Sequence, residues 1–243
     1  MKTKTIVFVG QHSTGKSSLF DIMSDINNPS SGTTFEYRTS EIDLNGEIVR
    51  IVDLPGIYSL NPNDPAEKLT VDFLLNNEID LIINVVNTSM LARSLELTVE
   101  LIELGVPMVI AMNMQDESEQ LGLKIDIDGL SKQLNIPVQF TSARYGKGIR
   151  KLADKCFTMM YKQYQPVILK YTHHLEVQIL DIQKEIDNYL QENNNALKTI
   201  TGSSRFLAIK AIENPELLND ELIDVTSQKV KLIAEDLQSH HRM

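Results

Sequence analysis

From Lys4 to about Met160, short runs of β-branched and other apolar residues alternate with longer stretches whose apolar positions recur every three or four residues. The short runs are typical of buried strands, and the longer stretches are typical of helices that pack one face against a sheet. The alternation therefore predicts a sheet wrapped by helices. The predicted strands are 4–9, 38–44, 47–53, 79–86, 106–112 and 137–141, and the predicted helices are 16–26, 66–76, 91–104, 126–134 and 147–162.

One turn signal sets the direction of two of these strands. Asn45-Gly46 separates the second predicted strand from the third, and this dipeptide favours a two-residue hairpin because both residues tolerate a positive φ. We therefore expect one antiparallel pair at the edge of an otherwise parallel sheet. The predicted fold class is α/β, with a mixed six-stranded sheet.

The pattern changes after Pro166, where helices are predicted over 172–191, 203–213 and 219–239 with no strand-like run between them. This predicts two domains, an α/β domain over residues 1–165 and a small all-helical domain over residues 166–243. The first of these helices carries one apolar stripe, formed by Leu175, Ile179, Ile182, Ile186 and Leu190. The stripe fits packing of helix on helix, and a groove for a partner stays open as the alternative.

Composition limits the classes of function. The formal net charge of −10 disfavours nucleic acid and anionic membranes as partners of a broad surface. The longest apolar runs have about the length of a strand, well short of the roughly 20 residues that a membrane span needs, and the N-terminus lacks the pattern of a secretory signal. We therefore expect a cytoplasmic chain. Its one cysteine, Cys156, is expected to be a buried structural thiol.

A phosphate-binding pattern follows the first predicted strand. Residues Gly10 to Ser17 match the eight-residue phosphate loop at every defined position, between a strand and an amphipathic helix. In such a loop the glycines let backbone amides face the phosphates, the lysine reaches the β and γ oxygens, and the hydroxyl of the last residue binds Mg²⁺. The predicted nucleotide contacts here are Gly10, Gln11, His12, Ser13, Thr14, Gly15, Lys16, Ser17 and Ser18.

Two further segments indicate which base the loop serves. Asn113 and Asp116 follow the fifth predicted strand, and an aspartate carboxylate can accept hydrogen bonds from both N1 and N2 of guanine, a pair of donors that adenine lacks. The sixth strand is followed by Ser142-Ala143-Arg144, where the Ala143 amide can donate to guanine O6. Ligands of open α/β sheets bind at the carboxyl ends of the strands, where both segments lie. The predicted base contacts are Asn113, Met114, Asp116, Ser142, Ala143 and Arg144, which selects GTP over ATP.

The third strand ends in Asp53-Leu54-Pro55-Gly56. At this position we expect Asp53 to help hold Mg²⁺ and the Gly56 amide to contact the γ-phosphate. Either Thr33 or Thr34, in the loop before the second strand, can close over Mg²⁺, and we favour Thr34. Ser17, Thr34 and Asp53 then form the predicted metal site, and Lys16, Thr34 and Gly56 the predicted catalytic set. Ile57 stands where many switch GTPases carry a glutamine that orients water, which predicts slow hydrolysis.

These motifs together resemble the cytosolic region of the ferrous iron transport protein B family. The resemblance includes Asp53 to Leu60, Asp72 to Leu75, Asp80 to Val86 and Arg205 to Lys210, and so extends over nearly the whole chain. It implies a Ras-like phosphate-loop GTPase domain, a helical domain that modulates nucleotide affinity, and Thr34 as the threonine that senses Mg²⁺. It also implies a transmembrane iron-permease region beyond residue 243 as the partner, and hence a place at the cytoplasmic face of the cell membrane.

The phosphate loop departs from that resemblance at three consecutive positions. The family usually carries Asn-Pro where this chain has Gln11-His12, and an asparagine linked to potassium binding where this chain has Ser13. A serine hydroxyl is a shorter and poorer ligand than an asparagine carbonyl, so K⁺ stimulation is not expected. His12 can face the γ-phosphate or solvent. The adjacent His173 and His174 point about 100° apart on a helix, so we expect no metal site there.

The sequence thus predicts a Mg-dependent GTPase that cycles between GTP and GDP as a slow switch, the regulatory part of a ferrous iron transporter. A nucleotide-gated binding module with negligible turnover and a soluble GTPase unrelated to iron are the alternatives. Nucleic acid is not an expected partner, and a homo-oligomer stays open.

Overall fold

The computed structural model describes residues 3–24, 31–33, 37–165, 167–193 and 202–240, with side chains described at all of these except 31–33 and 234–240. The chain forms two compact units. The first comprises Met1–Ile102 with Val106–Val167, and the second comprises Glu103–Gly105 with Ile168–Met243.

A seven-stranded sheet runs through the described part of the first unit, in the order β2-β3-β4-β1-β5-β6-β7. Only the pairs β2/β3 and β3/β4 are antiparallel. All six predicted strands are present within two residues of their predicted bounds, and β2 is a three-residue addition at the edge. The strands are β1 (Lys4–Gly10), β2 (Ser31–Thr33), β3 (Arg38–Leu44), β4 (Glu47–Asp53), β5 (Leu81–Asn87), β6 (Met108–Asn113) and β7 (Val138–Phe140).

The predicted hairpin joins β3 to β4. Asn45 and Gly46 have φ angles of 55° and 88°, the pair of positive values that a type I′ turn requires. The turn sets a register in which Arg38 faces Asp53. One edge of the sheet is therefore antiparallel, as the turn signal predicts.

Helices lie along the sheet in the first unit. The five predicted ones are present, and a sixth, Gln115–Gln120, is an addition: its residues, QDESEQ, contain no apolar position, so periodicity gave no signal for it. The helices of this unit are α1 (Lys16–Ser24), α2 (Pro65–Asn76), α3 (Leu91–Leu104, whose last two residues group with the second unit), α4 (Gln115–Gln120), α5 (Ile127–Leu134) and α6 (Ile149–Tyr161).

The central strands form the core of this unit. Apolar side chains of β1, β5 and β6 are almost completely buried, as expected for parallel strands with helices on both faces. Cys156 of α6 is packed in the same core, and burial raises the pKa of its thiol well above the ordinary value. This confirms the structural thiol predicted from the sequence.

The second unit contains α7 (His173–Glu192), α8 (Ser204–Glu213) and α9 (Asp220–His240). Four of the five residues of the predicted α7 stripe are buried: Ile179, Ile182, Ile186 and Leu190. Within this unit, the buried Arg205 guanidinium pairs with Glu176 at 2.9 Å and with Glu103 at 3.2 Å. Among the described residues, none of the helices combines the length and hydropathy that crossing a bilayer requires.

Candidate nucleotide-binding site

The loop between β1 and α1 is tightly curled. Ser13 and Gly15 both have left-handed backbone angles, with φ of 61° and 78°. A Cβ atom at Gly10 would lie 2.5 Å from the carbonyl oxygen of Val85, and one at Gly15 would collide with the side-chain amide of Asn113. These close approaches require glycine at both positions. The loop therefore packs closely against Val85 and Asn113 at the two positions where the motif predicts glycine.

Asn113 links three loops at the carboxyl ends of β1, β6 and β7. Its amide nitrogen donates to the Thr14 carbonyl at 2.9 Å. Its amide oxygen accepts from the Ala143 backbone amide at 3.0 Å and from the Thr141 hydroxyl at 3.2 Å. Both ends of one buried side chain are thus used to hold the phosphate loop beside the segment predicted to read the base.

A pocket of about 290 Å³ lies between these loops. Asp116 lies on its wall, and one of its carboxylate oxygens accepts a hydrogen bond from the Ser142 hydroxyl at 2.6 Å. Met114 also lines it and has a φ of 61°, a left-handed angle that is uncommon outside glycine. The pocket is lined by Gly15, Ser18, Asn113, Met114, Asp116, Glu117, Ser142, Ala143 and Arg144. The six predicted base residues are therefore all brought together here.

A cluster of charged side chains lies at the end of β4. The Lys16 ammonium is 2.5 Å from one oxygen of the Asp53 carboxylate and also donates to the Leu54 carbonyl. Arg38 donates to the other Asp53 oxygen from Nη2 at 2.7 Å and from Nε at 3.2 Å. Both Lys16 and Asp53 are buried. The two cations together hold the Asp53 carboxylate in place.

Arg38 was missed by the sequence reasoning, although a signal for it existed. In a two-residue hairpin centred on Asn45-Gly46, Arg38 lies opposite Asp53, and this is the observed register. Burial acts to lower the pKa of Arg38, but the hydrogen bond and charge of Asp53 outweigh it, so the pKa is raised. Arg38 also pairs with the exposed Asp21 at 2.6 Å.

On the opposite side of the loop, Gly56 and His12 are in contact. A Cβ atom at Gly56 would lie 3.0 Å from Nδ1 of the His12 ring. Ile57 is completely buried, and its backbone amide donates to the Gly10 carbonyl at 3.1 Å. The Ile57 side chain therefore belongs to the core. Tyr58, whose ring lies 5.3 Å from that of His12, is a neighbour that the sequence reasoning missed.

Other predicted residues differ in how well the structure places them. Ser17 and Ser18 lie in the first turn of α1, where both are exposed. Arg144 is exposed beside the base pocket, with its guanidinium 5.4 Å from the centre of the Tyr145 ring. Thr34, predicted for the metal site and for catalysis, lies outside the described residues. Its assignment stays a prediction.

Comparison with known proteins identifies the family. Residues 4–156 match the family model of Ferrous iron transport protein B, which is more than half of the chain. The chain belongs to this family. The Fe(2+) transporter FeoB of Synechocystis sp. is 30% identical over 205 residues, which cover 82% of this chain and 33% of that protein. The Fe(2+) transporter FeoB of Staphylococcus aureus (strain COL) is 32% identical over 238 residues, 94% of this chain and 34% of that protein.

Solved structures of the family's N-terminal region have the same fold. NFeoB from S. thermophilus bound to GDP.AlF4- and K+ is 32% identical, with a TM-score of 0.78 over 97% of this chain and 92% of that one. The mGMPPNP-bound form of NFeoB from S. thermophilus is 31% identical, with a TM-score of 0.76 over 97% and 89%. The predicted Ras-like G-domain fold is thereby confirmed. This chain spans about a third of the length of the transporters it matches.

Proposed function

We propose that this chain binds Mg-GTP between the phosphate loop and the Asn113–Asp116 segment, and hydrolyses it slowly to GDP and phosphate. The observation that carries the proposal is the Asn113 side chain, which holds the Thr14 carbonyl and the Ala143 amide at once. A pocket lies beside these hydrogen bonds, next to the loop that would cradle the phosphates. The S. thermophilus NFeoB structures, one bound to GDP.AlF4- and K+ and the other to mGMPPNP, support the same ligand class.

The residues present fit the phosphates of a nucleotide. Helix α1 begins at Lys16, within the loop. The N-terminus of a helix is a favourable environment for an anion, because its first backbone amides have no partner within the helix. The buried Lys16 ammonium donates to the Asp53 carboxylate and to the Leu54 carbonyl. Phosphate oxygens are acceptors of the same kind. We expect Lys16 to move onto the β and γ oxygens, while Arg38 keeps the Asp53 carboxylate paired.

The same residues fit Mg²⁺, which prefers one or two oxygen ligands from the protein and takes the rest from phosphates and water. Ser17 supplies a hydroxyl and Asp53 a carboxylate, both at the phosphate loop. Thr34 would complete the set by family resemblance. The ion would neutralise charge that develops on the phosphates.

The pocket fits guanine by its donors and acceptors. The Asp116 carboxylate, held on one side by Ser142, would accept from N1 and N2 of the base. The Ala143 amide, which donates to Asn113, would share its proton with guanine O6. The opposite polarity of adenine at these atoms would leave the carboxylate facing an acceptor, which costs free energy and selects against ATP.

Slow turnover is proposed because Ile57 cannot orient water. Its side chain is apolar and completely buried, whereas a glutamine at this position would have to reach the attacking water. Ser13 in place of asparagine leads us to expect little stimulation by K⁺. An arrangement with no turnover at all would make the chain a nucleotide-gated binding module.

We further propose that this chain is the nucleotide-binding regulatory part of a ferrous iron transporter. The matched relatives are named Fe(2+) transporters, and this chain spans about a third of their length. Its expected partner is a transmembrane region beyond residue 243, which places it at the cytoplasmic face of the cell membrane.

Single-turnover hydrolysis of GTP, with Mg²⁺ and the protein in excess, tests the enzymatic part. We expect phosphate release faster than in buffer for the wild type, and release at the buffer rate for Lys16→Ala. Wild-type protein that binds GTP but releases phosphate at the buffer rate would rule out the GTPase and leave the binding module.

A further inference from the structure

His12 has a defined position over Gly56, although its ring is exposed to solvent. A Cβ atom at Gly56 would lie 3.0 Å from Nδ1 of the ring, 3.1 Å from Cγ and 3.1 Å from the His12 backbone nitrogen. The ring and the amide of His12 therefore both lie against the Gly56 backbone. A histidine pointing freely into solvent would not contact this residue, whose amide is expected at the γ-phosphate.

The ring is held by neighbours that are themselves tied to the phosphate loop. It lies 5.3 Å from the Tyr58 ring, inclined by 43°, and the Arg93 guanidinium lies 5.0 Å from the centre of that same tyrosine ring. The buried Gln11 side chain donates to the Arg93 carbonyl at 2.8 Å. Gln11 and His12 are thus both connected to Arg93, one directly and the other through Tyr58.

The backbone of Tyr58 is fixed as well. Its amide donates to the buried Glu67 carboxylate at 3.2 Å, and the second oxygen of Glu67 accepts from the Asn63 amide at 2.8 Å. The loop that follows Gly56 is therefore braced from inside. The His12 ring therefore packs against a residue whose backbone is hydrogen-bonded, and a positioned side chain loses less entropy when it orients a ligand.

We propose that His12 is the residue that orients the attacking water in this chain. The inference rests on the proposed GTPase function and deepens it. The position after Gly56 holds a buried isoleucine, so the hydrogen-bonding group must come from elsewhere, and His12 approaches the same glycine from the phosphate loop. A neutral imidazole has one acceptor nitrogen, which can take a hydrogen bond from water beside the γ-phosphate.

In this step the water oxygen forms a bond to the γ-phosphorus, and the bond from that phosphorus to the β–γ bridging oxygen breaks. The electron pair of the broken bond leaves with GDP. The protons of the water end on inorganic phosphate and in solvent, so His12 orients the nucleophile and carries no proton away.

Three substitutions separate hydrogen bonding from packing. His12→Ala removes both, His12→Phe keeps a ring against Tyr58 without a hydrogen-bonding atom, and His12→Gln keeps a hydrogen-bonding group without the imidazole. His173→Ala, at an exposed position on α7 of the second unit, is the matched control. Single-turnover rates and equilibrium affinities for GTP and GDP are measured for each variant.

We expect His12→Ala and His12→Phe each to lower the single-turnover rate by about 10- to 100-fold. This loss is no larger than the rate contribution of side chains that transfer a proton, because His12 only orients the water. Nucleotide affinity should stay within about threefold, because the hydrogen bond is made to the water and matters in the transition state. His12→Gln should recover most of the rate, and His173→Ala should match the wild type.

Two outcomes would overturn the inference. A wild-type rate in His12→Ala would show that the ring does not orient water, and a wild-type rate in His12→Phe would show that it acts by packing alone. Either outcome can be recognised only if the wild type hydrolyses GTP at a measurable rate. A wild type that binds GTP and releases phosphate only at the buffer rate would instead overturn the proposed GTPase and, with it, the role of His12.

Discussion

The two sides of the candidate site are built differently. On the base side, Asn113 and Asp116 are engaged in hydrogen bonds to neighbouring loops, and their identities match the predicted guanine-reading pattern. On the γ-phosphate side, Gln11, His12 and Ser13 depart from the pattern of the resemblance. We therefore expect base selection to depend on a hydrogen-bonded network that is part of the fold, and the rate of hydrolysis to depend on a few side chains of one loop.

Between the two sides lies the charged pair of Lys16 and Asp53. Arg38 adds a second cation to the same carboxylate. We therefore expect Asp53 to stay paired if Lys16 moves to a phosphate. An unpaired buried carboxylate would be costly.

The largest expected effect is that of Lys16→Ala, which removes the ammonium that we expect at the β and γ oxygens. We expect GTP affinity to fall about 100-fold or more, since each hydrogen bond to a charged group contributes about 1.5 to 3 kcal/mol. Competition of GTP against a bound fluorescent GDP analogue measures it. Lys184→Ala, at a lysine whose side chain is 73% exposed on α7, is the matched control. An affinity within about threefold of the wild type would show that the phosphates bind elsewhere.

Asp116→Asn tests the base side alone. The amide can no longer accept from both N1 and N2 of guanine, so we expect GTP affinity to fall about 10- to 100-fold, the equivalent of one hydrogen bond to a charged group. Xanthosine triphosphate, which carries a carbonyl at position 2, should gain affinity over the wild type. The competition is measured against the same fluorescent GDP analogue.

The control for this change is Asp126→Asn, because Asp126 caps α5 by accepting from the Gly129 amide, and asparagine caps a helix equally well. Unchanged GTP affinity in Asp116→Asn would show that the pocket reads guanine through other groups or binds another base.

Ser13→Asn tests whether this position on the γ-phosphate side controls the response to K⁺. Ser13 has a φ of 61°, a left-handed angle at which asparagine is enriched, so the substitution suits the backbone. Its carbonyl oxygen is the kind of ligand that replaces water around K⁺. We expect the ratio of hydrolysis rates in K⁺ and Na⁺ to stay below about tenfold in the wild type and to rise in the variant.

The rates are compared at equal ionic strength, with Mg²⁺ constant. Strong stimulation of the wild type by K⁺ would mean that Ser13 or a neighbouring carbonyl already holds the ion. An equal ratio in wild type and variant, both near one, would show that this loop does not bind K⁺ with either residue.

Ile57→Ala has the smallest expected effect on catalysis. The single-turnover rate should change less than about tenfold, equivalent to about 1.4 kcal/mol of barrier. The free energy of unfolding should fall by about 2 to 5 kcal/mol, because the change leaves a cavity in the core. Urea unfolding and phosphate release measure the two quantities. A hundredfold loss of rate in protein that remains folded would give the side chain a chemical role.

The sequence predicted the features that depend on residues close together in the chain. The sheet and its helices followed from the periodicity of apolar residues, and the antiparallel edge followed from Asn45-Gly46. The loop glycines followed from their motif. Helix α4 was missed because QDESEQ offers no apolar period, and β2 because three residues are too few to show one.

Residues that act through tertiary contact were not readable in the same way. Arg38 was the exception in principle, since the hairpin register alone places it opposite Asp53. Tyr58 and Arg93 reach His12 and Gln11 across intervals of 46 and 82 positions. No local pattern encodes such an interval, so the positioning of the His12 ring required the folded structure.

Nucleotide selection by the wild-type chain tests the proposed GTP binding most directly. With Mg²⁺ present, a bound fluorescent GDP analogue is challenged with increasing GTP or ATP. We predict displacement by GTP, and none by ATP at a concentration about 100-fold higher, because Asp116 can accept from guanine and not from adenine. Equal displacement by the two nucleotides, or failure of the analogue to bind, would contradict it.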